Sequence, residues 1–297
     1  MSFSARLQSL DPVIVWVTFG LVVFGLAMLM SATGPIAVQR TGESLFYVKS
    51  QLLKGILPGV TAFFIGAYFN HKWLKQFAFI GLILTIVLLV AVYIPGLGIT
   101  INGARGWLRL AGLQFQPSEI AKLAFIIYIA AWLSTRKGGE AHRLDTGLVP
   151  FLGALGAVMV LLLMQPDTGS VMIIVATALI LYFLSGAPIA WFVGLSASGS
   201  GLLWLLIKIS PYRAARFTVF LHPELDPKGI GYHINQAILA IGSGGFWGVG
   251  YGQSRQKFLY LPEVESDSIS AIIAEEMGFI VMCFLLAAIG VLIWRCF

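Results

Sequence analysis

The chain has 297 residues, of which 58% are hydrophobic and 11% charged, with a mean hydropathy of +0.89. No ordinary soluble domain has that balance, so the chain reads as a membrane protein. Its formal charge of +6 is spread over loops and span ends rather than gathered on one domain, which argues against nucleic acid and for anionic lipids or phosphate-bearing substrates as partners.

The first apolar run, 13–33, is free of charge and long enough to cross about 30 Å of hydrocarbon. No short apolar region with a small-residue cleavage site precedes it, so it is expected to serve as its own insertion signal. A second run ends near 69, with Lys54 near its start placed to snorkel outward. After a short basic turn at 70–75, the third run covers 77–95 and the fourth has its core at 120–133, opened by Pro117 behind Gln116. The Gly- and aromatic-rich segment between them is too polar to span. Runs at 147–164, 171–184 and 188–207 follow, the first two separated by a tight turn in which Pro166 and Gly169 bracket Asp167. An eighth run covers 269–293. The expected fold is therefore all-α, a polytopic bundle of about eight transmembrane helices divided into 1–207, a long loop 208–268 and a last span from 269.

Eight spans put both ends on one side. Arg6, Lys72, Lys75, Arg136, Lys137, Arg143 and Arg295 fall on that side, against Arg40, Lys49, Arg105 and Arg109 on the other, so the positive-inside rule places both termini in the cytoplasm. The long loop is then extracytoplasmic. It holds 11 of the 32 charged residues and stands outside the count because loops of its length translocate largely regardless of charge. Within it, Ile234, Ile238 and Ile241 recur at helical spacing, which predicts a short amphipathic helix over 232–241 lying at the outer interface. The glycines from Gly242 to Gly252 then let backbone approach a ligand, or simply make a flexible loop.

Polar residues near apolar spans are the candidates for chemistry. Asp267 stands where the long loop meets the eighth span, with Glu263 and Glu265 outside it and Glu275 and Glu276 two turns in. It reads either as a functional carboxylate at the mouth of the membrane or, with Ser268 and Ser270, as a helix cap. Glu119 and Lys122 share one face of the fourth helix, as an internal ion pair or as a substrate-phosphate partner. Arg105 and Arg109, and Arg213 and Arg216, have donor forks suited to a pyrophosphate, or each anchors a headgroup. His71, His142, His222 and His233 lie in different loops without ligand spacing, so no metal site is expected from them. Cys283 and Cys296 have no partner spacing and read as inert.

Four blocks, NGARGWLRLAGLQFQPSEIAKLAF from Asn102, MQPDTGS from Met164, FLHPELDPKGIGYHINQAILAIGSGGFWGVGYGQSRQKFLYLPE from Phe220, and the stretch around Asp267, together resemble the SEDS family of shape, elongation, division and sporulation proteins. The QSRQKFLYLPE run from Gln253 is more similar to its FtsW branch than to its RodA branch. The resemblance implies a peptidoglycan glycosyltransferase in the bacterial inner membrane that polymerises lipid II during cell division. It implies an essential aspartate at the end of the long extracytoplasmic loop, here Asp267, and as partners a class B penicillin-binding protein and other division proteins. The family usually has His, Thr and an aromatic around that aspartate, where this chain has Glu265 and Ser266 before it and Ser268 after. It usually has two arginines before the tryptophan, where this chain has Arg105 and Gly106. It also runs to about ten spans, so a chain ending at Phe297 reads as a fragment.

Joining two lipid II molecules needs a base for the attacking sugar hydroxyl and positive charge near the departing undecaprenyl pyrophosphate. Asp267 is the expected catalytic base of an inverting transfer. Lys122, Glu119, Arg105, Arg109, Arg213, Arg216, Gln253 and Lys257 are expected around the substrate, and Asp167 and Gln116 in a structural or pathway role. A hard divalent cation, Mg²⁺ or Mn²⁺, is the one cofactor this chemistry would admit. A lipid II flippase lined by Glu119, Lys122 and Asp167, and a scaffold recruiting a transpeptidase, are the alternatives.

Overall fold

The computed structural model describes residues 10–68, 70–101, 104–110, 113–136 and 143–297, without the side chains of 71, 101, 104, 113, 206 and 212. The expectations that rest on Arg6, Asn102, Lys137 and His142, and on the side chain of His71, lie outside them. Each of the eight apolar runs is a helix: α1 (Pro12–Thr41), α2 (Phe46–Tyr68), α3 (His71–Ala91), α4 (Pro117–Ser134), α5 (Leu144–Met164), α6 (Thr168–Leu184), α7 (Ile189–Ile209) and the last, α10 (Ile269–Cys296). Among the described residues seven of these are long and apolar enough to cross a membrane, and α6 is a shorter apolar helix. The long loop contributes α8 (Pro211–Leu221) and α9 (Tyr232–Gly244).

Local chemistry sets most boundaries. Asp11 caps α1 by accepting from Val13 N at 2.8 Å, and Gly42, at φ 74, closes it in the left-handed region. The helix thus outlasts the apolar run 13–33 that predicted it. Asn70 caps α3 through Lys72 N at 3.1 Å, so 70–75 is the first turn of that helix and not a separate basic turn. Between α3 and α4 the segment expected only as a polar linker forms a three-stranded antiparallel sheet, β1 (Gly98–Ile101), β2 (Ala104–Leu110) and β3 (Leu113–Phe115), in the order β1-β2-β3.

The chain forms two compact units. In the unit spanning Asn70–Leu205, helices α4, α5 and α6 present stripes at helical spacing: Ala121, Phe125 and Ile129; Phe151, Leu155 and Val158; Ile174, Ala178 and Tyr182. Phe151 and Tyr182 stack at 4.4 Å between ring centres.

The other unit, Met1–Phe69 with Leu206–Phe297, is built on α1 and α10. Arg295 near the end of α10 donates to Asp11 at the start of α1 at 2.9 Å, and Arg40 near the end of α1 meets Glu265, just before α10, at 3.2 Å. The two helices therefore run antiparallel with their ends aligned. Desolvation acts to raise the Asp11 carboxyl, but the Val13 N–H and the Arg295 guanidinium outweigh it and hold it below the usual aspartate range. That clasp is present at neutral pH and is lost as the pH falls through the depressed value.

Two features of this unit were not expected. The predicted helix α9 does not stand apart at the interface: it runs alongside the first half of α10, from His233 at Ser268 to Gly244 against Ala274. And α10 is broken at Gly278, whose φ of 79° and ψ of 179° belong to a region open essentially to glycine alone. The broken backbone is closed by the glycine-rich segment after α9. Val249 N and Gly250 N donate to Glu275 O and Glu276 O at 2.9 and 3.0 Å, and Phe279 N and Ile280 N donate to Gly245 O and Phe246 O at 2.9 and 3.3 Å. The close approach explains the glycines: a Cβ on Gly244 would lie 2.0 Å from Ala274 O, and one on Gly248 2.2 Å from Glu276 O.

Beside the break lies a buried charge network. Glu276, 1% exposed, takes Lys257 Nζ at 2.8 Å and the Ser31 hydroxyl at 2.6 Å; Lys257 Nζ also donates to Gly252 O at 2.7 Å and Ser31 Oγ at 3.2 Å. Glu275, 2% exposed, accepts from Ser254 Oγ at 2.5 Å and Arg255 N at 2.9 Å. Tyr251 reaches Ala27 O at 2.7 Å. The long loop is thus tied to both α1 and α10.

Gly278→Ala is expected to cost about 1–3 kcal/mol in conformation alone, and more through its 2.3 Å approach to Gly248 N. Gly290→Ala, with nothing within 4 Å, is neutral or slightly stabilising in the same thermal unfolding assay in detergent. Lys257→Met leaves a buried carboxylate unpaired and should lose about 3–5 kcal/mol; adding Glu276→Gln should recover part of that loss, and a double variant as unstable as the sum of its singles would contradict the pairing.

Candidate active site

The helix α10 begins at Ile269 with Ser268 as its N-cap residue, and Asp267 precedes that cap. Asp267 is exposed and has no hydrogen bond or ion pair among the described residues. The capping alternative is therefore not what the structure shows. Ser268 holds the cap position, and its carbonyl accepts Ala271 N at 3.0 Å while its hydroxyl turns away from the helix to Pro262 O at 2.7 Å. Of the neighbouring acids, Glu265 is engaged with Arg40, which also donates to Tyr47 Oη at 3.0 Å, while Glu263 is exposed at a left-handed φ of 51°. Leu261 and Val264, 2% and 1% exposed, pin this turn against Ala32 and Ile36 of α1. The result is a carboxylate without internal partners on a well-anchored turn.

The remaining expected residues of this unit are placed differently from one another. Lys257 is internal, its ammonium taken up by Glu276, Ser31 and Gly252. Gln253 is exposed on the return from the glycine-rich segment, its N–H donating to Gly250 O at 3.0 Å. Arg213 and Arg216 lie three apart on α8, so they share a face; Arg216 is exposed and Arg213 half-buried. Nothing in the sequence pattern had singled out α8. Its signal was Ser210 followed by Pro211 at the first helical position.

In the other unit, Trp107 and Arg109 share one face of β2 with Leu108 buried on the opposite face, and a register shift against Ile99 and Thr100 leaves buried Gly106 as the extra residue between Arg105 and Trp107. Arg105 donates to Tyr93 O at 3.1 Å; Arg109 is exposed. Gln116, immediately before α4, and Asp167, the N-cap of α6, come together: Gln116 Nε2 donates to Asp167 Oδ2 at 3.1 Å, and Asp167 Oδ1 accepts Ser170 N at 3.1 Å. Lys122 and Glu119 form the expected pair at 2.8 Å, with the lysine side chain 22% exposed. Sequence reasoning missed His233, which it weighed only as a metal ligand; its ring Nε2 meets the Ser268 hydroxyl. Spacing carries no signal for that contact, because the two residues are 35 apart in the chain.

A family model described as cell cycle protein, FTSW_RODA_SPOVE, matches residues 12–297. Stage V sporulation protein E of Bacillus subtilis is 39% identical over 98% of this chain and 79% of its own length. A probable peptidoglycan glycosyltransferase FtsW of Aliivibrio salmonicida is 36% identical over 96% of this chain and 70% of its own. Among solved structures, the rod shape determining protein RodA of Thermus thermophilus superposes with a TM-score of 0.63 at 26% identity, over 97% of this chain and 74% of that one. A chain from a peptidoglycan synthase complex described as coordinating polymerization and crosslinking superposes at 0.65 and 25% identity, over 93% of this chain and 76% of its own. With its apolar helices and these relatives along nearly its whole length, the chain is a multi-pass membrane protein of the FtsW/RodA/SpoVE family.

Proposed function

We propose that this family member is a peptidoglycan glycosyltransferase that polymerises lipid II, with Asp267 as its catalytic base. The relatives named as peptidoglycan glycosyltransferases support the reaction class. The observation that supports the residue is its place: of the two exposed carboxylates of the 263–267 turn without a side-chain partner among the described residues, Glu263 and Asp267, it is Asp267 that stands one residue ahead of the α10 cap. Such a group can take the proton of an acceptor sugar hydroxyl as that oxygen attacks the anomeric carbon of the donor. Undecaprenyl pyrophosphate departs as an anion and needs no proton, so one base suffices and the transfer inverts the anomeric centre.

Positive charge for the leaving group comes, in this reading, from Arg213 and Arg216, which share a face of α8 in the same unit as Asp267. Gln253 is exposed and suited to a sugar contact. Among the described residues no three His, Cys, Asp or Glu side chains converge to hold a metal. The site faces the extracytoplasmic side of the inner membrane, and a class B penicillin-binding transpeptidase is the partner that would cross-link the product.

Asp267→Asn is expected to abolish glycan polymerisation from lipid II in liposomes reconstituted with the full chain, a loss of at least about 100-fold, while leaving the melting temperature unchanged. Glu263→Gln should retain most activity. An Asn variant that builds strands at near the parental rate would remove Asp267 from the mechanism.

A further inference from the structure

The side chain of Asp267 has no partner among the described residues, so its place is set by the backbone it hangs on, and the side chain of the next residue, Ser268, is bonded from outside the turn. Ser268 is 3% exposed, and its hydroxyl sits between Pro262 O, at 2.7 Å, and Nε2 of His233 on α9. A hydroxyl has one hydrogen, and a proline carbonyl can only accept. The Ser268 hydrogen therefore goes to Pro262 O, its oxygen must accept, and His233 must carry its hydrogen on Nε2. The result is a directed chain, His233 Nε2–H to Ser268 Oγ–H to Pro262 O, that staples both ends of the turn 262–268 to α9.

We propose that His233 is a positioning residue for glycosyl transfer: through Ser268 it fixes the turn that carries Asp267. This rests on the reading of Asp267 as the base. His233 touches no reacting atom. Its own support is firm, because α9 runs along α10 and is seated at its far end by Gly244 against Ala274 O. Backbone bonds complete the clamp: Ser266 N and Ser268 N both donate to Glu263 O, at 3.1 and 3.2 Å. Within this turn Glu263 keeps a positive φ of 51°, a conformation that relaxes unless its surroundings hold it. Releasing the staple would let the carboxylate drift by an ångström or so, and displacement on that scale costs a rate factor of about 100 when it removes a reacting group from its attack geometry.

The test measures lipid II polymerisation by the full chain in liposomes, with turnover and KM separated. His233→Leu should lower turnover by about 10- to 100-fold, with KM for lipid II within about twofold, since substrate contacts are untouched. Glutamine places an amide N–H near the Nε2 position, so His233→Gln should restore turnover to within about threefold, whereas His233→Asn, too short to reach, should repeat the loss. The double variant His233→Leu with Ser268→Ala should be no slower than Ser268→Ala alone, because both remove one chain. Additive losses in the double variant, or Gln and Asn variants of equal rate, would overturn the proposal. Parental turnover in His233→Leu, in a preparation where Asp267→Asn is inactive, overturns the positioning role alone; an active Asp267→Asn overturns the base assignment instead.

Discussion

The unit that carries Asp267 depends on the ion pair between Lys257 and Glu276, set two to three turns into an apolar helix. In hydrocarbon an unpaired charge or an open backbone group is costly, and α10 brings both problems to one place: two glutamates and a break at Gly278. The long loop answers both at once. Its backbone from Gly245 to Gly250 takes the donors and acceptors that the break releases, and a few residues later it delivers the one ammonium that meets Glu276. Neither part works without the other. Lacking the lysine, the loop would seat itself beside uncompensated carboxylates; lacking the glycines, it could not come close enough to deliver the lysine.

That closure makes the rest of the unit a rigid frame. Ser31 and Ala27 on α1 accept or donate into the same network, so α1, α10 and the loop are locked at the depth of the break. Ion pairs at the two ends, Asp11 with Arg295 and Arg40 with Glu265, keep the helices in register but are exposed enough to contribute little to stability themselves. The stiffness comes from the interior, and the turn before α10 inherits it through Leu261 and Val264 packed on Ala32 and Ile36.

Much of this was legible in the sequence where the signal is local. Apolar runs marked the helices, Pro117 marked the start of α4, and the run from 269 marked α10 with its two inner glutamates. The sheet was not legible, because β1 and β3 have four and three residues and sit among glycines that read as loop. The break was not legible either. Gly278 and Gly290 look alike in α10, and only the first has a backbone pressed against it. The lie of α9 followed from the same cause: its isoleucine spacing gave an amphipathic helix, but the face that decides its place is the small one, Ala237, Ala240 and Gly244, which fits it to α10. Lys257 was read as a substrate contact; the structure spends all its reach inward.

The carboxylates around α10 then sort by environment rather than by sequence. Glu275 and Glu276 are buried and accept from a hydroxyl, backbone N–H groups and an ammonium, which is what a structural carboxylate needs and what leaves it no capacity to take up a substrate proton. Glu265 is held by an arginine at the surface. Asp267, like Glu263 of the same turn, is exposed without side-chain partners among the described residues, although the turn bearing it is among the better anchored parts of the unit. A fold that saturates the two glutamates it buries in α10, yet braces the backbone of a turn whose carboxylates it leaves open, has separated the two roles that acidic residues play near a membrane: closing a broken helix inside, and offering a basic oxygen at the rim.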